Sequence, residues 1–413
     1  MPATLITHIK LLVNTSENDR LLRGKELSEL PVLENAYLII EDGLITGMGT
    51  MDELIDPEKQ FYSVINANGQ LVLPAWCDSH THIVFAATRE DEFIDKIRGM
   101  SYADIAAKGG GILNSARKLA AASENALFND AWKRLEEVSQ LGTGSIEIKS
   151  GYGLTVKSEL KMLRVIKKLK EKSPLTIKST FLGAHTYPEQ FRNDHEGYIR
   201  LIIEEMLPVI AAEKLADYID VFCETGFFSK EETIRICKAG MAVGLKPKLH
   251  ANQLNLSGGI EAGVELGALS VDHLETMNED TIRLLAASNT IGTLLPTAAF
   301  FLRMPLQPAR QLIDAGCAVA LATDYNPGSS PSGNMNLAAA MSCVQMKMLP
   351  EEVINAGTIN GAYAMEVQDK TGSIRVGKKA NLVFTKPVPN LAYLFYAFGN
   401  NHIDKVMLNG EFI

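Results

Sequence analysis

The chain lacks the marks of membrane, secreted and nucleic-acid-binding proteins. Its 413 residues hold five cysteines, Cys77, Cys223, Cys237, Cys317 and Cys343, far apart and with no CxxC pair. Such spacing excludes a disulfide framework and fits free thiols in a reducing compartment. No apolar run reaches the ~18 residues that a membrane helix needs. The N-terminal MPATLITHIKLLVN has no charged segment, long apolar run or cleavage site. A soluble, cytoplasmic protein that does not engage a membrane is therefore expected. Basic residues (40) are outnumbered by acidic ones (49), the formal charge is −9, and no basic stripe marks a nucleic-acid partner. The most basic stretch, KMLRVIKKLKEK at 161–172, reads as an amphipathic helix with Met162, Leu163, Val165, Ile166 and Leu169 on its apolar side. A glycine-rich dinucleotide turn after the first strand is also missing, which counts against an open doubly wound sheet.

What is present suffices for one large core and a smaller second unit, since 46% of the residues are hydrophobic. The first seventy residues read as short strands around turns, with Asp42-Gly43 as the clearest hairpin, and the last forty repeat the pattern around Asn409-Gly410. A small β-sandwich domain assembled from residues 1–75 and 366–413 is expected. Between them, over 76–365, short buried runs alternate with helical stretches about eight times. GSIEIKS, TIKSTFLGAH, YIDVFCE, KPKLHAN, LSVDHLE, IGTLLP and AVALATD are the strands. Strand then helix, repeated so often, predicts an α/β fold with a (β/α)8 TIM-type barrel. The glycines at 109–111 follow a polar stretch and read as a plain turn or an active-site loop.

In a barrel, chemistry gathers at the C-terminal ends of the strands. Five of the eight histidines, His80, His82, His185, His250 and His273, fall at such ends, whereas His8, His195 and His402 read as surface or sheet residues. His80 and His82 alternate along one strand and so face one point, with Asp78 two residues earlier on the same face. Asp324 closes the apolar run AVALATD, where a carboxylate is costly unless it is paired or on a metal. Imidazoles and a carboxylate suit zinc or iron, and an open position would let the metal lower the pKa of water to near 7. A hydrolase follows more naturally than an oxygenase, whose iron triad uses only two histidines.

These features resemble the amidohydrolase superfamily and, more closely, the imidazolonepropionase family. The likeness runs through DSHTHIVFAATRE (78–90), GGGI (109–112), IEIKSGYGL (146–154), FLGAH (181–185), FCETGFF (222–228), KLHANQL (248–254), SVDHLE (270–275) and ATDYNPGSSPSGNM (322–335). The resemblance implies one Zn(2+) or Fe ion per subunit on His80, His82, His250 and Asp324. It implies a homodimer that converts 4-imidazolone-5-propanoate to N-formimidoyl-L-glutamate in histidine degradation. Around the substrate it places Arg89, Tyr102, Tyr152, His185, Gln253, Asn326, Gly328 and Ser329.

The residue types agree with those roles. A guanidinium at Arg89 suits a propanoate tail. Tyr152, between two glycines, can reach inward, and His185 can polarise or hydrogen-bond the ring carbonyl. Asn326, Gly328 and Ser329 offer an amide, a backbone N–H and a hydroxyl. Some imidazolonepropionases carry Glu at position 253; Gln253 cannot shuttle a proton, so the general-base role moves toward His273, with Asp324 assisting. Lys149 ends IEIK, where binuclear relatives use a modified lysine to bridge two metals; a one-metal enzyme leaves it solvated or salt-bridged on the rim. The competing readings are a deaminase on the same scaffold, which gives Arg89 no partner, and a non-catalytic barrel, which would not keep four ligands.

Overall fold

The computed structural model describes residues 3–16, 19–54, 63–100 and 110–413. In chain order, the N-terminal part gives β1 (Thr4–Val13), β2 (Val32–Glu41), β3 (Leu44–Thr50), β4 (Ser63–Asn66) and β5 (Leu71–Pro74). The middle gives β6 (Trp76–Thr81), β7 (Thr143–Lys149), β8 (Thr176–Ala184), β9 (Tyr218–Cys223), β10 (Lys246–Ala251), β11 (Ser270–His273), β12 (Ile291–Leu294) and β13 (Val319–Leu321). The C-terminal part returns with β14 (Leu382–Thr385), β15 (Ile403–Leu408) and β16 (Glu411–Phe412).

Strands β6 to β13 pair in parallel and in chain order. The ends meet just beyond β13. The His82 N–H donates to the Tyr325 carbonyl at 2.8 Å, the Asp324 N–H donates to the His80 carbonyl at 3.0 Å, and Thr81 bridges Tyr325 in parallel. This closes the barrel expected from the strand–helix repeat. The other strands form one mixed sheet in the order β16-β15-β14-β5-β1-β2-β3, with β4 beside β1. Ile6, Leu12, Leu38, Val72, Leu382 and Phe384, drawn from both termini, share its core. Asp42-Gly43 and Asn409-Gly410 turn the two hairpins, and all four residues have positive φ (49°, 79°, 49° and 82°), as the tight primed turn requires.

Four helices bear on the site: α1 (Glu90–Ile97), α2 (Gly111–Ala121), α3 (Glu124–Gln140) and α4 (Val156–Lys172). The Thr155 side chain caps α4 by accepting from the Ser158 N–H. Met162, Leu163, Val165, Ile166 and Leu169 of α4 are all buried, so its basic residues form the wet face that periodicity predicted. Each such side chain removed from water stabilises the fold by ~1.5–3 kcal/mol. Further along, the helix over 195–213 contains a π turn at Leu201–Met206, just before Pro208, which has no N–H to return to the preceding turn.

Candidate active site

Five histidines converge at one end of the barrel. Ring centroids lie 4.5 Å apart for His80 and His250, 5.2 Å for His80 and His82, and 5.1 Å for His250 and His273. His185 stacks on His82 at 5.5 Å. His8 and His195 are exposed and lie elsewhere, and His402 donates to or accepts from nothing in the cluster.

Two of these rings are oriented from behind. His80 Nδ1–H donates to Asp272 Oδ2 at 2.6 Å, and His250 Nδ1–H donates to Asp220 Oδ2 at 2.9 Å. With Nδ1 so engaged, Nε2 carries the lone pair and turns to the common centre. His80 Nε2 and His82 Nε2 are 3.3 Å apart, and Asp324 Oδ1 is 3.5 Å from each. Ligands held ~2.0–2.1 Å from a tetrahedral zinc stand ~3.3–3.5 Å from one another. Ligand atoms of His80, His82 and His250 all lie within 4.8 Å of one another, as do those of His80, His273 and Asp324. Burial, together with the neighbouring cations and imidazoles, holds His80, His82 and His250 well below the ordinary histidine value, so they are neutral donors. Burial pushes Asp324 up to about 7. A buried acid beside three inward lone pairs fits a resident cation, which would draw the carboxylate back to its ionised form.

His273 is placed differently. Its backbone has φ 90°, followed by Leu274 at 67°, and Asp324 takes 54°. Each such conformation in a non-glycine residue costs ~1–3 kcal/mol and collects at functional sites. Glu275 Oε1 lies 3.4 Å from His273 Nδ1 and accepts from Gln307 Nε2 at 2.9 Å. Burial would lower His273, but the Glu275, Asp324 and Asp272 carboxylates outweigh it and raise the ring above its usual value. An imidazole backed by a carboxylate is suited to take up a proton.

His185 Nδ1–H donates to the Gly151 carbonyl at 3.0 Å, and burial lowers this imidazole to about 4. A neutral ring so bonded presents a lone pair at Nε2. It can therefore accept from a substrate N–H, and in this tautomer it does not polarise a carbonyl. Gly151 belongs to the loop that carries Tyr152. Glu159 holds that loop, accepting from the N–H groups of Gly151 (3.2 Å), Gly153 (2.6 Å) and Leu154 (2.9 Å).

A cavity of about 590 Å³ opens above the cluster, lined among others by Arg89, Tyr152, His185, Gln253, Asn326, Gly328 and Ser329. The structure thus brings together every predicted site residue except Tyr102, which lies outside the described residues. Arg89 does not stand alone: its Nε donates to Glu92 Oε2 at 2.8 Å, Nη2 pairs with the same oxygen, and Glu92 Oε1 accepts from the Gly111 N–H at 3.1 Å. Gly111, of the glycine run, is thus a turn into α2 that anchors Glu92. A Cβ at Gly328 would overlap the Arg89 guanidinium. Asn326 spends its amide on its own loop, donating to the Asp324 carbonyl (2.6 Å) and Ser329 Oγ (2.7 Å) and accepting from the N–H groups of Gly328 and Ser329, both at 2.8 Å. Lys96 and Arg303 add positive charge to the cavity wall, and Phe93 stacks on Phe301 there at 5.4 Å.

Two sequence expectations need correction. Asp78 lies on the same strand as His80, but its carboxylate accepts from the Thr323 N–H (3.0 Å) and Oγ1 (2.6 Å), so it ties the barrel seam and adds no ligand. Lys149 is not on the rim. It is fully buried beneath the histidine cluster, paired with Glu147 at 2.7 Å and Asp220 at 2.8 Å. Sequence reasoning missed Asp220, Asp272, Glu275 and Glu92. The first two carried the same signal as Asp324, an acid inside an apolar strand.

Comparison with known proteins agrees with this geometry. Residues 71–413 match the model of the Amidohydrolase family. The chain is 55% identical to the imidazolonepropionase of Flavobacterium johnsoniae, over 99% of this chain and 100% of that one. It is 53% identical to the imidazolonepropionase of Christiangramia forsetii, over 99% of both. Among solved structures, a 5-methylcytosine deaminase from Klebsiella pneumoniae superposes with a TM-score of 0.73 at 16% identity, covering 99% of this chain and 97% of that one. At that identity the likeness speaks for the fold alone. The chain therefore belongs to the amidohydrolase family and, within it, to the imidazolonepropionases.

Proposed function

We propose that this chain hydrolyses the cyclic amide of 4-imidazolone-5-propanoate to N-formimidoyl-L-glutamate, with one zinc or iron ion per subunit. The observation that carries the reading is a set of inward Nε2 atoms with the Asp324 carboxylate, at the floor of a cavity whose wall carries Arg89, Lys96 and Arg303. Such a wall suits an anionic substrate better than a neutral nucleobase.

When bound, the metal supplies Lewis acidity toward water and the ring carbonyl. His80, His82, His250 and Asp324 would hold it. His273 Nε2 takes a proton from the attacking water and returns it to the departing ring nitrogen, with Glu275 facing its other nitrogen. Asp324 assists in handling that proton. His185 Nε2 accepts from a ring N–H, while Arg89, Tyr152 and Tyr102, the last carried over from the family resemblance alone, secure the tail. Gln253, Asn326, Gly328 and Ser329 shape the remaining wall. A cytoplasmic homodimer completes the reading, and the five free thiols accord with a reducing compartment. Sedimentation mass tests the dimer.

The test of function is to incubate metal-loaded protein with fresh 4-imidazolone-5-propanoate, following loss of the ring absorbance and appearance of N-formimidoyl-L-glutamate. Conversion well above spontaneous decay is expected. No conversion by protein with an occupied site would overturn the assignment.

A further inference from the structure

Beneath the ligands the barrel interior carries charge where branched apolar side chains are usual. Glu147 and Lys149 of β7, Asp220 of β9, Lys248 of β10 and Asp272 of β11 are all 0% exposed. Burying ions is costly unless they are paired with good geometry. The pairing here has a particular form. Asp220 Oδ2 accepts from both His250 Nδ1 and Lys149 Nζ, the latter at 2.8 Å. Asp272 Oδ2 accepts from His80 Nδ1 and lies 3.5 Å from the same Nζ. One ammonium therefore faces the two oxygen atoms that aim two of the ligating rings. Its third partner, Glu147 Oε1, also accepts from Thr180 Oγ1 at 2.6 Å, and the other Glu147 oxygen pairs with Lys248. Lys149 is thereby also tied to Glu147 of its own strand.

We propose that Lys149 is a positioning residue for the metal centre, holding Asp220 and Asp272 together so that His80 and His250 present Nε2 to one point. The proposal rests on the metal-site reading above and is independent of the substrate. Loss of an orienting partner behind a metal ligand typically weakens metal affinity ~10–100-fold.

The experiment compares the parent with Lys149→Met and Lys149→Gln, as full chains. Zinc affinity is measured by chelator competition, and the visible spectrum is recorded after cobalt replacement. Both variants should fold in the metal-free state, bind zinc at least ~10-fold more weakly, and show an altered cobalt spectrum. Adding Asp272→Asn to Lys149→Met should then cost much less than it does in the parent. Variants that fold and bind zinc within about twofold of the parent, with an unchanged cobalt spectrum, would overturn the proposal. Insolubility of both variants, with or without added metal, would also overturn it by placing Lys149 in the fold alone. A parent that binds no zinc would instead refute the metal-site reading itself.

Discussion

His273 shows what a single residue contributes. Its φ of 90° lies where a non-glycine backbone is strained, and the next residue is also left-handed. The strain is maintained while the ring faces Glu275 on one side and the Asp324 ligand group on the other. Replacing it by Asn should lower kcat by ~10²–10⁴-fold, the usual worth of a general base. Metal content, measured by atomic absorption, should stay at the parent level; a loss of metal would make His273 a ligand. Gly328 acts by having no side chain, because a Cβ there would collide with Arg89. Gly328→Ala should therefore raise KM with kcat little changed, in the direction of Arg89→Ala. Losing a charge-assisted contact worth ~1.5–3 kcal/mol corresponds to a KM increase of roughly 10–150-fold. Steady-state kinetics on both variants checks this, and an Ala at 328 with parental KM would contradict the geometry.

Among the elements, the seam between β6 and the segment after β13 matters most, because it sets Asp324 beside His80 and His82. Asp78 clamps it through Thr323. Thr323→Val removes one donor from a fully buried carboxylate and should cost ~1–3 kcal/mol, read from urea unfolding. This seam also shows where sequence reading runs out. Alternation along β6 predicts one face for Asp78, His80 and His82, but the pairing of β6 with β7 shifts register between Asp78 and Thr81. It does not show that Asp78 sits two residues, ~6.6 Å, below the ligand layer. There its nearest partner belongs to the last barrel strand's end. The strand and helix repeat was legible because periods of two and 3.6 are local. The clustered histidines were legible because each ends an apolar run. Asp220 and Asp272 were equally visible in YIDVFCE and SVDH, but their partners Lys149, His250 and His80 come from other strands, and one chain gives no sign of which meet.

For the whole molecule, the metal would join the first barrel strand, the fifth and the end of the last, so its binding and the closure of the barrel are coupled. Anything that binds only the folded state stabilises it, by roughly 4 kcal/mol at a thousand times Kd. Chelation should lower the thermal midpoint, and zinc should restore it; an unchanged midpoint would mean that the ligands are organised without any ion. The terminal sheet lies outside this coupling, since its core of Ile6, Leu38, Val72 and Phe384 holds no ligand.

The most direct measurement is a zinc titration of metal-free protein with hydrolysis of 4-imidazolone-5-propanoate followed at each point. Activity is expected to rise in proportion to zinc and to stop at about one equivalent per chain, as a single ligand set requires. Full activity before any metal is added, or none at full occupancy, would contradict a one-metal hydrolase.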